Sequence, residues 1–305
     1  MAFADLKNDY IFRRIFATHP NILRGLLNDL LDRRDNETIV SIEYLPSEQL
    51  PLVMGAKLSI LDVRCKDRAG TTFVVEMQLI HVPGFINRVV YNACKAYVSQ
   101  LKVREKYKQL ADVVAISICD FELWPDAKQE KQKLPLVPML SRWNLTERTS
   151  GSPGLLQVQY AFLELPKLPE GKPETGGAAY WAWLFVHAPE LSEVPADLPQ
   201  GPFREALELA DKATFTQEEL DAYEKVIDEI QQVRDLTEAK FAEGETTGLV
   251  KAILAFLMAR GLPVSTEARA HIETCKDVPT LDRWIVRAAT ASTTEEVIAP
   301  PSEGA

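Results

Sequence analysis

The sequence predicts an α/β fold, a mixed sheet flanked by helices, followed by a helical C-terminal region. Three observations carry that prediction. Apolar residues recur at helical spacing near the N-terminus. Three alternating strand-like runs and one continuous apolar run rich in β-branched residues come next. From residue 203 onward the pattern returns to helical spacing and keeps it. With 305 residues, 46% hydrophobic and 26% charged, the chain can bury one large core or two modest ones, which excludes disordered and fibrous classes.

Two helices are expected over residues 5–33, the second opened by Pro20 in its first turn and carrying Ile22, Leu23, Leu26, Leu27, Leu30 and Leu31 at helical spacing. Strand patterns follow over 38–45, 57–65 and 71–79, divided by Pro/Ser/Glu or Asp/Gly punctuation. A long helix is expected over 83–109, with Ile86, Val90, Ala93, Tyr97 and Leu101 as its apolar stripe. The run Ala111-Asp-Val-Val-Ala-Ile-Ser-Ile-Cys119 reads as a strand buried on both faces of an α/β sheet. Residues 1–165 thus form the expected core. Residues 166–202 hold seven prolines and four glycines and read as a connector with one short helix around Trp181 and Trp183. Residues 203–305 read as an acidic helical region. Its first part runs to about residue 242, and a separate helix over 249–260 follows Gly244 and Gly248, closed by Gly261 and Pro263. Two shorter helices complete it.

Composition narrows the function classes. Apolar stretches such as 113–119 are far shorter than the roughly 18–20 residues of a membrane span, and the first ten residues carry charges and no apolar leader. A cytoplasmic protein without membrane association is expected. The four cysteines and four histidines show no paired ligand spacing, which argues against zinc and against a disulfide framework. The net charge of −10 is unevenly distributed. Residues 1–110 carry 16 basic against 12 acidic side chains, the remainder 18 against 32. Such asymmetry suggests a segment that meets an anion, although ordinary solvated faces produce a difference of this size as well.

The chemistry-bearing segment is 58–79. Two strand patterns flank Asp67-Arg-Ala-Gly70, so a hairpin is expected. A turn centred near Ala69 sets Asp62 opposite Glu76 and Ile60 opposite Gln78. Alternation gathers Ile60, Asp62, Arg64, Val74, Glu76 and Gln78 on a polar face, with Leu61, Val63, Cys65, Phe73, Val75, Met77 and Leu79 on the core face. Two carboxylates directly opposite each other repel. A shared proton, a basic partner or a bound cation can each offset that repulsion. A hard divalent ion suits two carboxylates, water and phosphate oxygens, while Gln78 can position water or assist the metal. Downstream, Arg88, Lys95, Lys102 and Lys106 fall along one stripe of the expected 83–109 helix, a pattern that can track phosphates but that also describes an ordinary solvated face.

Taken together, Lys7-Asn-Asp-Tyr-Ile-Phe12, Ile60-Leu-Asp62-Val-Arg64, Val75-Glu76-Met-Gln78, Arg88-Val-Val-Tyr91 and Cys119-Asp-Phe121 resemble the recombination-promoting nuclease (Rpn)/putative transposase family of the PD-(D/E)xK nuclease superfamily. The resemblance covers roughly residues 5–125 and continues loosely to about 240. It implies a restriction-endonuclease-like core and a Mg²⁺-dependent DNA endonuclease, with Mn²⁺ as substitute, in a bacterium. Asp62 and Glu76 become the metal acids, and Asp9 a helix-borne acid that helps orient metal or water. The superfamily's third residue is usually lysine, whereas position 78 is glutamine. A neutral amide positions but does not stabilise developing charge, and Lys57 or Arg88 are the candidates to supply the cation. Three readings stay open: an active nuclease, a catalytically degenerate fold that binds DNA or protein, and a transposase proper, against which the lack of an evident recognition helix in the sequence counts. The acidic helices 203–243 are the expected site of any homo-oligomer contact.

Overall fold

The computed structural model describes residues 3–49, 59–101, 104–174 and 177–299. They fall into two packed units that divide after Ile227. In the first, the Asn8 side chain accepts the Tyr10 and Ile11 amides and so starts α1 (Asp9–Phe16), satisfying donors that a helix N-terminus leaves open. Pro20 starts α2 (Pro20–Leu31), which buries Ile22, Leu23, Leu26, Leu27 and Leu30. A six-stranded mixed sheet runs β1 (Ile42–Tyr44), β4 (Val63–Asp67), β5 (Thr72–Gln78), β6 (Val113–Cys119), β8 (Pro153–Glu164), β7 (Leu140–Thr146). A separate antiparallel pair joins β2 (Glu48–Gln49) to β3 (Ser59–Ile60). Strand β6 is parallel to both β5 and β8 and buried throughout. The crossover from β5 to β6 carries α3 (Phe85–Val98), and the short α4 (Asp126–Lys131) follows β6.

The β4–β5 hairpin adopts the expected register, with Val63 opposite Val75 and Arg64 opposite Val74. Its turn closes through the Gly70 amide on the Asp67 carbonyl (3.1 Å) and the Thr71 amide on Asp67 Oδ1 (2.9 Å). Gly70 has φ +92°, a left-handed conformation that side chains resist.

Both faces of the hairpin are covered, where one polar face was expected. Val63, Cys65, Phe73, Val75 and Met77 pack among α1, α2, α5 (Ala178–His187) and α6 (Pro202–Leu209). Val74 packs on the opposite face with Phe85, Val89, Ala93 and Ala96 of α3. The apolar side of α3 is thus offset from the expected stripe: Phe85, Val89, Asn92, Ala93, Lys95 and Ala96 are buried, while Ile86 and Val90 are exposed. Small Ala93 and Ala96 let the helix lie against the sheet. The helix also ends at Val98, not near 109. There the Gln100 amide binds both the N–H and the C=O of Ala111 at 2.9 Å, fastening the chain to the start of β6.

The stretch expected as a connector is core. α5 buries Tyr180 through Phe185 almost all round, Trp181 fully, and the Trp181 Nε1–H donates to Asp29 Oδ2 at 2.9 Å. Prolines and glycines bound this helix without preventing it. On α2, a Cβ placed on Gly25 would come 2.7 Å from Pro202, the first residue of α6. Gly25→Ala is therefore expected to destabilise the protein by about 1–3 kcal/mol through overpacking. It should appear as a lower urea midpoint at unchanged m, and an unmoved midpoint would refute the close-packing argument.

A single helix, α7 (Gln217–Ala259), replaces the two expected around Gly244 and Gly248. Thr216 and Glu219 begin it with reciprocal side-chain-to-amide bonds of 3.2 and 2.8 Å. Each interior glycine costs about 1 kcal/mol against alanine, which helix continuity on both sides outweighs. Residues 228 onward pack Ile253 and Leu257 with Ile272, Leu281, Trp284, Ala288 and Val297. The helices α8 (Thr266–Thr274), α9 (Val278–Ala288) and α10 (Thr294–Ile298) are capped by Ser265, Asp277 and Thr293. Gly261, with φ +68°, ends α7 as expected. Among the described residues no helix is long and apolar enough to cross a membrane.

Candidate active site

The Lys7-Asn8-Asp9 segment lies where the sheet ends and α1 begins, and its three side chains go to three places. Lys7 Nζ pairs with both oxygens of Asp120, at 3.2 and 3.1 Å, just past β6. Asn8 caps α1 and donates to the Tyr223 carbonyl at 3.3 Å. Asp9 faces Arg13 one turn along, with Nε 3.3 Å from Oδ1. The Asp120 amide in turn donates to the Gln78 carbonyl at 2.9 Å, which joins this corner to the end of β5.

Asp62 occupies a break in its strand. The Leu61 amide bonds the Ser47 carbonyl, and regular pairing with β5 begins at Val63. Leu61 packs on the α3 face and Val63 on the opposite one. Residues two apart share a face in a regular strand, so alternation is interrupted at Asp62. Its carboxylate is left beside the sheet, where Oδ2 accepts the Met77 amide at 2.8 Å and Oδ1 accepts Arg13 Nη2 at 2.9 Å. The Asp62 side chain is only 10% exposed. Burial pushes its acid up, the Asp9 charge adds to that, and the Met77 amide and Arg13 pull it back, leaving it at about 7.

Glu76, also buried, faces the other layer. Asn92 Nδ2 of α3 donates to Oε1 at 3.0 Å. Burial raises this acid as well, against the opposing influence of Arg88 and Asn92. Gln78 is committed at both ends of its amide, donating to the Met77 carbonyl at 2.8 Å and accepting from Arg88. Asp62, in the break before β4, and Glu76, on β5, therefore have separate partners, Asp62 with α1 and Glu76 with α3, and are not the directly opposed strand pair that was expected. Of the ways to offset their charge, the fold supplies polar and basic partners together with burial that favours a proton.

The basic stripe does not form. Arg88 is exposed beside Gln78, but Lys95 is buried at 4% exposure with its ammonium 5.8 Å from the Tyr91 ring. Lys106 lies beyond the end of α3, ahead of the short turn at Tyr107–Gln109. Lys102 and Lys57 lie outside the described residues. Sequence reasoning missed Arg13 and Asn92. Both were in reach, Arg13 four residues after Asp9 and Asn92 four after Arg88, each on its helix face.

A family model of PD-(D/E)XK nuclease family transposases matches residues 6–238. The chain belongs to this family. Its six-stranded mixed sheet flanked by helices is consistent with the nuclease fold of that family. No curated protein and no solved structure matches the chain. A PD-(D/E)XK nuclease typically uses a divalent metal, and the donors here fit a hard cation. Two carboxylates and an amide oxygen are all-oxygen ligands, and the nearly buried Asp62 carboxylate has Arg13 as the one cation hydrogen-bonded to it among the described residues. Among the described residues no three His, Cys, Asp or Glu side chains converge on one point.

Proposed function

We propose that this family member is a Mg²⁺-dependent DNA endonuclease, with Mn²⁺ as substitute, acting in the bacterial cytoplasm on DNA of recombining or mobile elements. The observation that carries the reading is the nearly buried Asp62 carboxylate, set in a strand break beside the β5 segment that bears Glu76 and Gln78. Asp62 and Glu76 would hold the metal, which would supply an activated water and charge neutralisation at the scissile phosphate. Asp62 is oriented for that task by the Met77 amide. Gln78 positions water at the rim, and Asp9 keeps a negative charge at the mouth through Arg13. Exposed Arg88 contacts the DNA backbone, joined by Lys102 and Lys106, with Lys95 supporting α3 from inside. Residues 203–305, rich in acid, stand off the DNA and serve self-association.

Cleavage of supercoiled plasmid in Mg²⁺ or Mn²⁺ tests the assignment. Asp62→Ala is expected to reduce the rate at least about 100-fold, and equal rates for variant and wild type would reject it. The degenerate-fold reading gains from the neutral Gln78 and from the separate partners of the two acids. It predicts DNA retention with no cleavage in either metal.

A further inference from the structure

Arg13 is the one cation hydrogen-bonded to the Asp62 carboxylate among the described residues, and its attachment is lopsided. Its Nη2 makes a directed 2.9 Å bond to Asp62 Oδ1. Toward Asp9 the Nε lies at 3.3 Å, sealed from solvent yet without a well-directed hydrogen bond. The side chain as a whole is 42% exposed, and Asp9 51%. The guanidinium thus has a directed grip on a buried oxygen and a looser, Coulombic hold at the surface. It occupies an oxygen that a divalent ion bound at Asp62 would require.

We infer that Arg13 is a phosphate ligand held in reserve on Asp62: metal binding displaces its fork from Oδ1, Asp9 retains it at the mouth of the site, and the freed N–H groups take a DNA phosphate. This rests on the metal role proposed for Asp62. The physical reasoning is charge exchange. A buried carboxylate needs a positive partner, so the guanidinium and a divalent cation compete for the same oxygen. A guanidinium suits phosphate because its planar fork bonds two oxygens at once. Asp9, four residues earlier on α1, holds the released side chain close to the chemistry and prevents it from being lost to solvent. The result is ordered binding, metal first and phosphate second, each favouring the other.

Two measurements on the full chain test this. The first is Mn²⁺ affinity by calorimetry for wild type, Arg13→Gln, Arg13→Lys and Asp62→Asn, with melting curves to establish that each variant folds. Arg13→Gln should bind Mn²⁺ about tenfold more tightly, Arg13→Lys should fall between it and wild type, and Asp62→Asn should lose binding. The second is fluorescence anisotropy on a labelled 20-base-pair duplex, with Ca²⁺ or with EDTA. Ca²⁺ should strengthen wild-type binding several-fold more than it strengthens binding by Arg13→Gln. Unchanged or weaker Mn²⁺ affinity in folded Arg13→Gln, or an equal Ca²⁺ effect in both proteins, overturns the proposal while leaving the metal role of Asp62 intact. Wild type that takes up no Mn²⁺ overturns both.

Discussion

In metal-free buffer, Asp62→Asn is expected to gain stability relative to wild type by roughly 3–4 kcal/mol between pH 4 and pH 8. The carboxyl titrates at about 7 in the fold against an ordinary value of 3.8. A raised acid pKa means that the folded state holds the proton more tightly than the unfolded chain. Its contribution is full below the unfolded value and is lost as pH rises from about 4 through about 7, after which the penalty is constant. Asparagine can still accept the Met77 amide but has no proton to lose, so pH-independent differences cancel between the two pH values, and the pull of Arg13 on the ionised carboxylate is already contained in its value of about 7. Chemical unfolding of both proteins at pH 4, 6 and 8 in EDTA reads the effect. A stability difference that stays flat across that range would show that Asp62 is not desolvated as the structure places it. The same proton competes with metal, so Mn²⁺ affinity should rise with pH up to about 7 and then level off.

That proton competition could not be read from the chain alone, although much of its setting could. The hairpin register followed from turn chemistry and two-residue alternation, both local properties, and Val63 does face Val75. What alternation missed was the interruption at Asp62, which arises because Leu61 bonds Ser47 and the preceding β3 pairs with β2. Such a break is set by a neighbouring segment, not by the strand's own pattern. The same limit explains α3. Its sequence offers apolar residues on two adjacent faces, and only packing against β6 decides that Val89 goes in and Val90 stays out. Lys95 looked like a surface charge because its burial depends on the helix's rotation. The α5 region misled by composition, since prolines and glycines that punctuate a loop also delimit a fully buried helix. Family resemblance, by contrast, was legible because it rests on short ordered motifs, and the matched region extends through α6 and about half of α7 to residue 238.

Removing the Lys167 ammonium is expected to cost about 3–5 kcal/mol, the range for stranding a buried charge. Glu164 ends β8 beside Cys119 of β6, with a side chain that is 0% exposed. Its Oε2 accepts the Leu123 and Trp124 amides at 2.7 and 3.2 Å, while Oε1 has no hydrogen bond and lies 3.5 Å from Lys167 Nζ. Lys167 also donates to the Trp124 and Val137 carbonyls at 2.7 and 2.8 Å. The pair therefore pins the segment that leaves β6, the same segment whose Asp120 meets Lys7 at the candidate site. Lys167→Met leaves Glu164 its two amide donors but no cation, and leaves two carbonyls unpaired. Adding Glu164→Gln removes the stranded charge and returns an N–H donor near those carbonyls. The double variant should therefore be more stable than Lys167→Met alone. A double-mutant cycle by urea unfolding measures this coupling. If the two substitutions simply add, Glu164 does not depend on the ammonium, and the segment after β6 is held by the amide bonds alone.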